Sequence, residues 1–487
     1  MKTVTPASSG TAVLEPTLAR PSTRAEALAR LRARLAGGER APRVALAVMV
    51  GAGAALVLLA SQRRSALVPP AKGGFSDWLV GPLRGAASFV PDDPLLDSIA
   101  FSALVAIMFA CWLVALSGTQ HAGRRWVLGA IVALHALLLL GPPLPLTDAF
   151  NYVNYARLDV VHSLNPYTDV PALLPGDPSY AYATWHHLLS PYGPLFTIAS
   201  YALVPLGLAG ALWTLKTTTV AASLGCLWLV WRLAERRGHD PLWATAFVGL
   251  NPLVLVYGVG GVHNDFFMLL AILAGTAAIL AGRPARGGVA LVTAAGLKVS
   301  GGLVLPFALA GAAPERRRPL LAGAAAAGAA LVAVSLVAFG PHLPGLETQS
   351  ALVTPLSPQN LIGLVLGQGG ATAPVRALVG LGFAVTVVLL LRATWRGADW
   401  PTMAGWATLA LVVCLTWEMP WYVLWVLPFA AIGRSRALRR ATVVLTAFLL
   451  LTLVPITGYV LTHGCHCNPG DTKTGKRNAI EIRRHLK

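Results

Sequence analysis

Apolar stretches of about twenty residues alternate with short polar turns along most of the chain. They fall at 43–60, 97–117, 124–142, 192–212, 217–232, 241–258, 264–281, 288–312, 319–340, 374–392, 401–417, 420–433 and 441–462. Roughly twenty apolar residues in a helix cross the hydrocarbon layer of a bilayer. The pattern therefore predicts an all-α fold, a polytopic transmembrane helical bundle of about 13 spans.

The turns are of two kinds. Arg30 to Arg43, Arg124 and Arg125, Arg316 to Arg318, and Arg434 to Arg440 form short basic runs, whereas 61–96, 143–191, 341–373 and the tail after Leu461 are longer and aromatic or acidic. Basic turns stay in the cytoplasm, so the N-terminus is expected inside and the long loops outside. This implies a multi-pass protein of the cytoplasmic membrane with its active site on the outer face, away from nucleotide sugars. Three regions follow: a basic cytoplasmic segment 1–42, a membrane domain 43–463 carrying the outer loop 143–191, and a polar tail 464–487.

Composition narrows the class. Of 487 residues only 12% are charged and the mean hydropathy is +0.64, which excludes a set of soluble domains. A net charge of +18 would raise nucleic acid in a soluble protein, but the bases sit between apolar spans. They read as topology signals and contacts to anionic membrane lipids, with no nucleic-acid partner. The first forty residues lack an early apolar core, so no cleavable signal peptide is expected, and Arg24 to Arg34 can form a short amphipathic helix on the inner leaflet. Cys111, Cys226 and Cys414 lie in apolar runs; Cys465 and Cys467 flank His466 too closely for the usual zinc spacing, and no metal or cofactor is expected.

Candidate chemistry gathers where polar residues interrupt apolar ones, since an ionisable group at a span end is costly unless it is paired or used. The loop after Pro143 carries Asp148, Asp159, Asp169 and Asp177. If 149–161 is a helix, Tyr152, Tyr155 and Asp159 share one face, giving a helix on the membrane surface with its polar edge toward a groove. Asp148 can act as a general base or cap that helix, and the two roles are compatible. Arg157, Trp185 and Tyr192 complete a polar, aromatic platform suited to a sugar.

Farther on, Gly258, Gly260 and Gly261 lead into His263, Asn264 and Asp265, although counting spans puts this turn on the inner side. Either the segment re-enters, or a span is miscounted, or the triplet stabilises a cytoplasmic turn. Lys298 lies in an apolar run, where it must pair with a carboxylate or bind an anion such as a lipid phosphate. Glu418 ends a span beside Trp421 and Tyr422, and Trp417, Trp421 and Trp425 recur every four residues, as a belt stripe or a site wall.

The pieces TDAFNYVNYARL (147–158), NPY (165–167), SPYGPL (190–195), NPLVLVYGVGGVHND (251–265), LKVSGGLVLP (297–306) and PWYVLWVLP (420–428) come in an order that resembles a known family. They resemble the polyprenyl-phosphate-mannose-dependent mannosyltransferases of the GT-C superfamily, most closely the actinobacterial alpha-(1→6)-mannopyranosyltransferases of lipomannan and lipoarabinomannan cores. The resemblance covers 100–463 and implies an inverting transfer of mannose from polyprenyl-phosphate mannose to a mannan or glycolipid acceptor outside the membrane. It implies Asp148 as general base, with no Asp-X-Asp motif and a monophosphate leaving group that needs less help from a metal than a diphosphate. Arg157, Tyr152, Tyr155, Tyr192, His263, Asn264, Asp265, Lys298, Glu418, Trp421 and Tyr422 are the expected donor-binding residues, with the lipid phosphate leaving toward Lys298 or Arg157. Phe266 and Phe267 after His-Asn-Asp, and the Cys-His-Cys tail, depart from the usual look and leave the acceptor open. A lipid-linked sugar transporter, or a GT-C enzyme using another polyprenyl-phosphate sugar, is the alternative.

Overall fold

The computed structural model describes residues 40–62, 67–68, 76–83, 85–86, 93–144, 148–350 and 352–460. The Arg24 to Arg34 segment and the Cys465–Cys467 tail lie outside the described residues, among which there are helices and turns but no strand. In chain order the main helices are α1 (Arg40–Ala60), α2 (Pro94–Ser117), α3 (Arg124–Leu140), α4 (Asp148–His162), α5 (Pro194–Tyr201), α6 (Gly207–Arg236), α7 (Pro241–Gly249) and α8 (Asp265–Leu280). They continue as α9 (Pro284–Leu297), α10 (Val304–Gly311), α11 (Pro314–Phe339), α12 (Ala373–Trp395), α13 (Trp400–Cys414), α14 (Leu427–Ile432) and α15 (Arg436–Leu453). Five stretches are long and apolar enough to cross a membrane: Arg40–Ala60, Leu95–Ser117, Pro194–Arg236, Pro314–Phe339 and Ala373–Trp395. Four shorter apolar ones are Asp265–Leu280, Val299–Gly311, Trp400–Cys414 and Pro420–Ile432.

Several of the scarce carboxylates start helices. Asp93 accepts from the Leu95 and Leu96 amides at 2.8 and 3.1 Å, and Asp240 from those of Leu242 and Trp243 at 2.9 and 3.1 Å. Asp399 caps α13 through the Thr402 amide. Each is followed by a proline at the first or second helical position, where its missing N–H costs nothing.

The bundle has two chemically distinct ends. At one, Arg237 bonds both Asp399 oxygens at 2.7 and 2.8 Å and the Ile432 carbonyl at 2.6 Å, while Arg124, Arg317 and Arg439 stack over Trp231, Trp395 and Trp243. At the other end, irregular connections are stitched together through backbone groups. The Leu144 amide bonds Gly260 O at 3.0 Å, Gly193 bonds Leu297 O at 3.2 Å, Gly345 bonds Ser190 O at 2.8 Å and Thr354 bonds Thr416 O at 2.8 Å.

This arrangement resolves the conflict over the His263 turn. The expected span 192–212 is not a separate traverse of the bundle: α5 and the turn after it stay at the stitched end, where Tyr201 bonds Asp159. The start of α6 remains there too, with Trp213 donating to Trp78 O at 3.0 Å and Lys216 to Gly141 O at 2.5 Å. The expected single span 288–312 is instead two segments, broken at Lys298, whose backbone is extended (φ −154°, ψ 128°). The turn at 260–264 falls on the inner side only in a count that takes 192–212 as a span of its own. Its true place is beside Asp148.

Burial is uneven. Every residue from Asn251 to Asp265 is buried, so α7 and the π-turn that follows it, Val254–Val259, run through the centre. In α12 only Val375 and Thr394 are buried, while Leu378, Leu381, Val385, Val388 and Leu389 are all exposed. A helix apolar on its outer face belongs against lipid.

Close approach in this bundle depends on small residues. A Cβ on Gly323 of α11 would lie 2.1 Å from Ala285 O in α9, and one on Gly288 would lie 2.2 Å from Leu320 O. Backbone atoms cannot yield as side chains do, so these helices must separate to admit a larger residue. Gly323→Val is expected to destabilise the fold by about 1–3 kcal/mol. Thermal unfolding in detergent measures this, and a melting temperature equal to that of the parent would refute the packing argument.

Candidate active site

The stitched end encloses a cavity of about 860 Å³, and Asp148 is on its wall. Asp148 is the first residue of α4, where the helix dipole favours its negative charge. Its Oδ1 accepts from Trp185 Nε1 at 3.3 Å, and its Oδ2 stands 3.3 Å from His263 Nδ1. Burial alone would raise the Asp148 pKa. The contact and charge of His263, the charge of Lys298 and the Trp185 N–H outweigh it and hold the carboxyl below its usual value. It is therefore an ionised oxygen acceptor at neutral pH, with one side open to the cavity.

His263 reaches this position through a strained backbone. Val262 has φ +58°, a left-handed conformation that a β-branched residue rarely adopts, and it is fully buried. Gly261 supplies the room: a Cβ there would meet Tyr257 O at 2.2 Å and His263 Nε2 at 2.9 Å. The imidazole stacks on Trp421 with centroids 3.7 Å apart and planes 14° apart, which fixes its orientation toward Asp148.

Behind this pair is a buried ion pair. Lys298 Nζ bonds both oxygens of Asp265 at 2.9 Å, and Trp425 Nε1 adds a third bond at 2.5 Å. The Lys298 ammonium also faces the rings of Tyr422 and Trp425 at 5.6 and 5.4 Å. The Asn264 amide N–H bonds the Tyr152 hydroxyl at 3.1 Å, which ties α4 to the start of α8. The Asn264 side-chain amide and the Trp421 indole N–H are buried with no partner among the described residues.

Asp148, Tyr155, Tyr192, Lys298, Trp421 and Tyr422 all reach the cavity wall. Tyr155 also donates to Leu188 O at 2.9 Å, and Tyr152 is packed edge-on against Tyr192 and Phe196. Tyr152, His263, Asn264 and Asp265 form the layer behind that wall. Residues 149–156 are largely buried, so α4 is embedded in the bundle rather than laid on a surface with a wet edge.

Two expected residues stand elsewhere. Arg157 bonds both oxygens of Asp177 at 2.9 and 3.0 Å, more than two helical turns from Asp148. His162 and the Ser179 hydroxyl join Asp177 at 3.0 and 2.6 Å, pinning the outer part of the loop to α4. Burial raises the Asp177 pKa, but these bonds together hold it far below the ordinary range. Arg157 is thus a structural clamp.

Glu418 is in the turn between α13 and the Pro420–Ile432 segment. Its side chain is 1% exposed and does not reach the cavity, and its Oε1 has no partner among the described residues. The neighbours on either side, Trp417 and Met419, point into the cavity instead. The Thr354 hydroxyl bonds the Glu418 amide at 2.9 Å and its carbonyl at 3.0 Å. Burial pushes the Glu418 pKa from 4.5 up to about 8.

A raised carboxyl pKa means that the folded protein holds a proton the unfolded chain releases. Stability is then lost as pH rises from about 4.5 toward 8 and is level above that. Glu418→Gln keeps the shape without the titration. Its melting temperature should match the parent at the acid end and exceed it increasingly up to pH 8, whereas a constant difference would show that Glu418 does not titrate in this way.

The sequence reading missed a second wall. Gln349, Ser350, Gln359 and Arg376 line the cavity from the loop after α11 and the first turn of α12. The available signal was the polar Gln359-Asn360 pair inside the long connection 341–373. Among the described residues no three His, Cys, Asp or Glu side chains group as a metal site.

Residues 47–314 match the family model described as alpha-(1->6)-mannopyranosyltransferase, N-terminal domain, and residues 357–464 match the MptB C-terminal domain. The chain is 29% identical over 434 residues to alpha-(1->6)-mannopyranosyltransferase A of Mycobacterium tuberculosis, covering 76% of this chain and 81% of that one. It is 26% identical over 411 residues to a probable alpha-(1->6)-mannopyranosyltransferase of Mycolicibacterium smegmatis, covering 72% and 73%. Against alpha-(1->6)-mannopyranosyltransferase B of Corynebacterium glutamicum it is 27% identical over 366 residues, covering 65% and 59%. No solved structure matches the chain significantly. With the N-terminal model alone spanning more than half its length, the chain belongs to the alpha-(1->6)-mannopyranosyltransferase family and is a GT-C-type mannosyltransferase.

Proposed function

We propose that the protein transfers mannose from polyprenyl-phosphate mannose to a mannan or glycolipid acceptor outside the cytoplasmic membrane, forming an alpha-(1→6) bond with inversion. The observation that carries this reading is an ionised Asp148 on the wall of an aromatic cavity, at the end of the bundle opposite the arginine cluster. Arginine-rich ends stay in the cytoplasm, which supports a cavity on the outer face. On this reading the chain crosses the bilayer 13 times, with α7 and its π-turn as one crossing and α9 and Val299–Gly311 as two.

In the reaction Asp148 takes the proton of an acceptor hydroxyl as that oxygen attacks C1 of the mannose. The C1–O bond to the lipid phosphate breaks, and the phosphate leaves as the anion with the bonding electron pair. His263 and Trp185 hold the Asp148 carboxylate in place, so little reorganisation is needed when the proton moves. The rings of Trp185, Trp417 and Tyr422 offer a sugar flat apolar surfaces beside the Asp148 carboxylate.

Purified protein in nanodiscs, given polyprenyl-phosphate mannose and a panel of short mannosides, should yield products extended by one alpha-(1→6)-linked mannose. Absence of transfer from every polyprenyl-phosphate sugar tried would overturn the enzyme reading. Transfer of a different sugar would replace mannose alone.

A further inference from the structure

At the arginine end, α1 and α3 pack side by side and leave a groove of about 430 Å³ between them. Ala47 and Val50 form one side and Gly129 and Ala133 the other, with Arg125 and Trp126 at the mouth. The groove is open because its residues are small: a Cβ on Gly129 would meet nothing within 4 Å. One turn beyond Val50 the two helices close, since a Cβ on Gly53 would lie 2.5 Å from Leu134 Cδ2. The eight-residue step from Arg125 to Ala133 gives the groove a length of about 12 Å.

We propose that this groove holds one anionic glycerophospholipid, with its phosphate on Arg125 and an acyl chain between α1 and α3. Arg125 is exposed and has no hydrogen bond, ion pair or ring contact with any described residue. Two more arginines flank it, and neither is paired with a carboxylate among the described residues. Arg124 stacks over Trp231 at 5.0 Å, and Arg43 donates to the carbonyls of His121 and Ala122 at 3.3 Å. Rings and carbonyls orient a guanidinium without cancelling its charge. One acid borders this turn, but Asp240 accepts from Gln120 and from the Leu242 and Trp243 amides and takes no part in the groove lining. The mouth is therefore cationic, and the free Arg125 fork suits phosphate oxygens.

The rest of the groove fits a lipid rather than a soluble anion. Beyond Arg125 and Trp126 its walls carry no polar side chain, so an inorganic phosphate would use the mouth alone. Trp126 is half exposed beside that mouth, the place of an indole at a headgroup layer. Val44 and Val48 on α1 and Val132 on α3 are exposed nearby, so both helices face the hydrocarbon here. The chain before Arg40 is a poor cover for Arg125, because residues 1–39 carry six Lys or Arg against three Glu. A lipid seated here joins α1 to α3 at the end of the bundle opposite Asp148, so the inference stands apart from the transfer chemistry.

The test titrates delipidated protein in detergent with phosphatidylglycerol, and with phosphatidylcholine of the same chains as control. Native mass spectrometry counts the bound lipid, and thermal unfolding follows its effect on the fold. The tightest-bound lipid should be one phosphatidylglycerol per chain, held about fivefold or more above phosphatidylcholine, and it should raise the melting temperature. Arg125→Gln should weaken phosphatidylglycerol by about tenfold and bring it level with phosphatidylcholine. Gly129→Leu fills the groove without touching the charge, and it should weaken both lipids alike. Both positions are exposed, so each variant should melt with the parent when no lipid is added. If either folded variant retains phosphatidylglycerol as the parent does, the groove is not its seat. Equal retention of the two lipids by the parent would reduce the groove to a non-selective lipid contact and overturn the proposal. Displacement of the bound lipid by inorganic phosphate would do the same for the acyl-chain part, and a dimer without lipid that is lost in Gly129→Leu would give the groove to a second copy of the chain.

Discussion

Asp148→Asn should reduce mannose transfer by about a hundredfold to ten-thousandfold, the usual contribution of a placed general base, while donor binding and melting temperature stay near those of the parent. The amide keeps the size and the Trp185 contact of the carboxyl but cannot accept a proton at working pH. The loss should therefore fall on kcat rather than on KM. Asp148→Glu should recover little, because the carboxylate would be displaced by a methylene from its place between Trp185 and His263. Equal rates in parent and Asn variant would remove Asp148 from the chemistry. Continued movement of the lipid-linked sugar across the membrane in a variant that no longer transfers mannose would favour a transporter.

The largest expected effect on stability belongs to Asp265→Ala. The Asp265 carboxylate is completely buried and holds three bonds, two from Lys298 and one from the Trp425 indole. Removing one partner of a buried pair leaves the other charge desolvated and uncompensated, at a cost of about 3–5 kcal/mol. The variant should melt well below the parent, and pairing it with Lys298→Met should restore part of the loss because the stranded ammonium is gone. Transfer should fall in both, since Trp425 and Tyr422 form the wall next to that pair. A variant that melts with the parent would show that the pair contributes no net stability.

Much of the site was legible because lipid makes polar residues conspicuous. His263, Asp265 and Lys298 stood out as costly groups in apolar surroundings, and the cost is relieved by contacts among Asp148, His263, Asp265 and Lys298 themselves. What residue type could not reveal was partnership. Asp265 and Lys298 are 33 positions apart, and nothing in the sequence says that Arg157 is taken by Asp177 rather than facing the cavity. The ordering of spans failed where helices are irregular, since α5 is apolar yet short, and the break at Lys298 lies inside an unbroken apolar run. Hydropathy counts apolar residues; it does not register where a chain turns back at the same end. The wall with Arg376 was missed for a related reason, because a single arginine at the head of an apolar stretch reads as a boundary marker.

The two walls of the cavity are anchored very differently. Asp148 and His263 are carried by segments sunk in the centre of the bundle, whereas Arg376 belongs to a helix that contributes only two buried residues. Substitutions along α12 therefore disturb few packed neighbours, while those around His263 disturb many. Change can accumulate on the lightly rooted wall at little cost to the packing that holds Asp148 and His263 on the other.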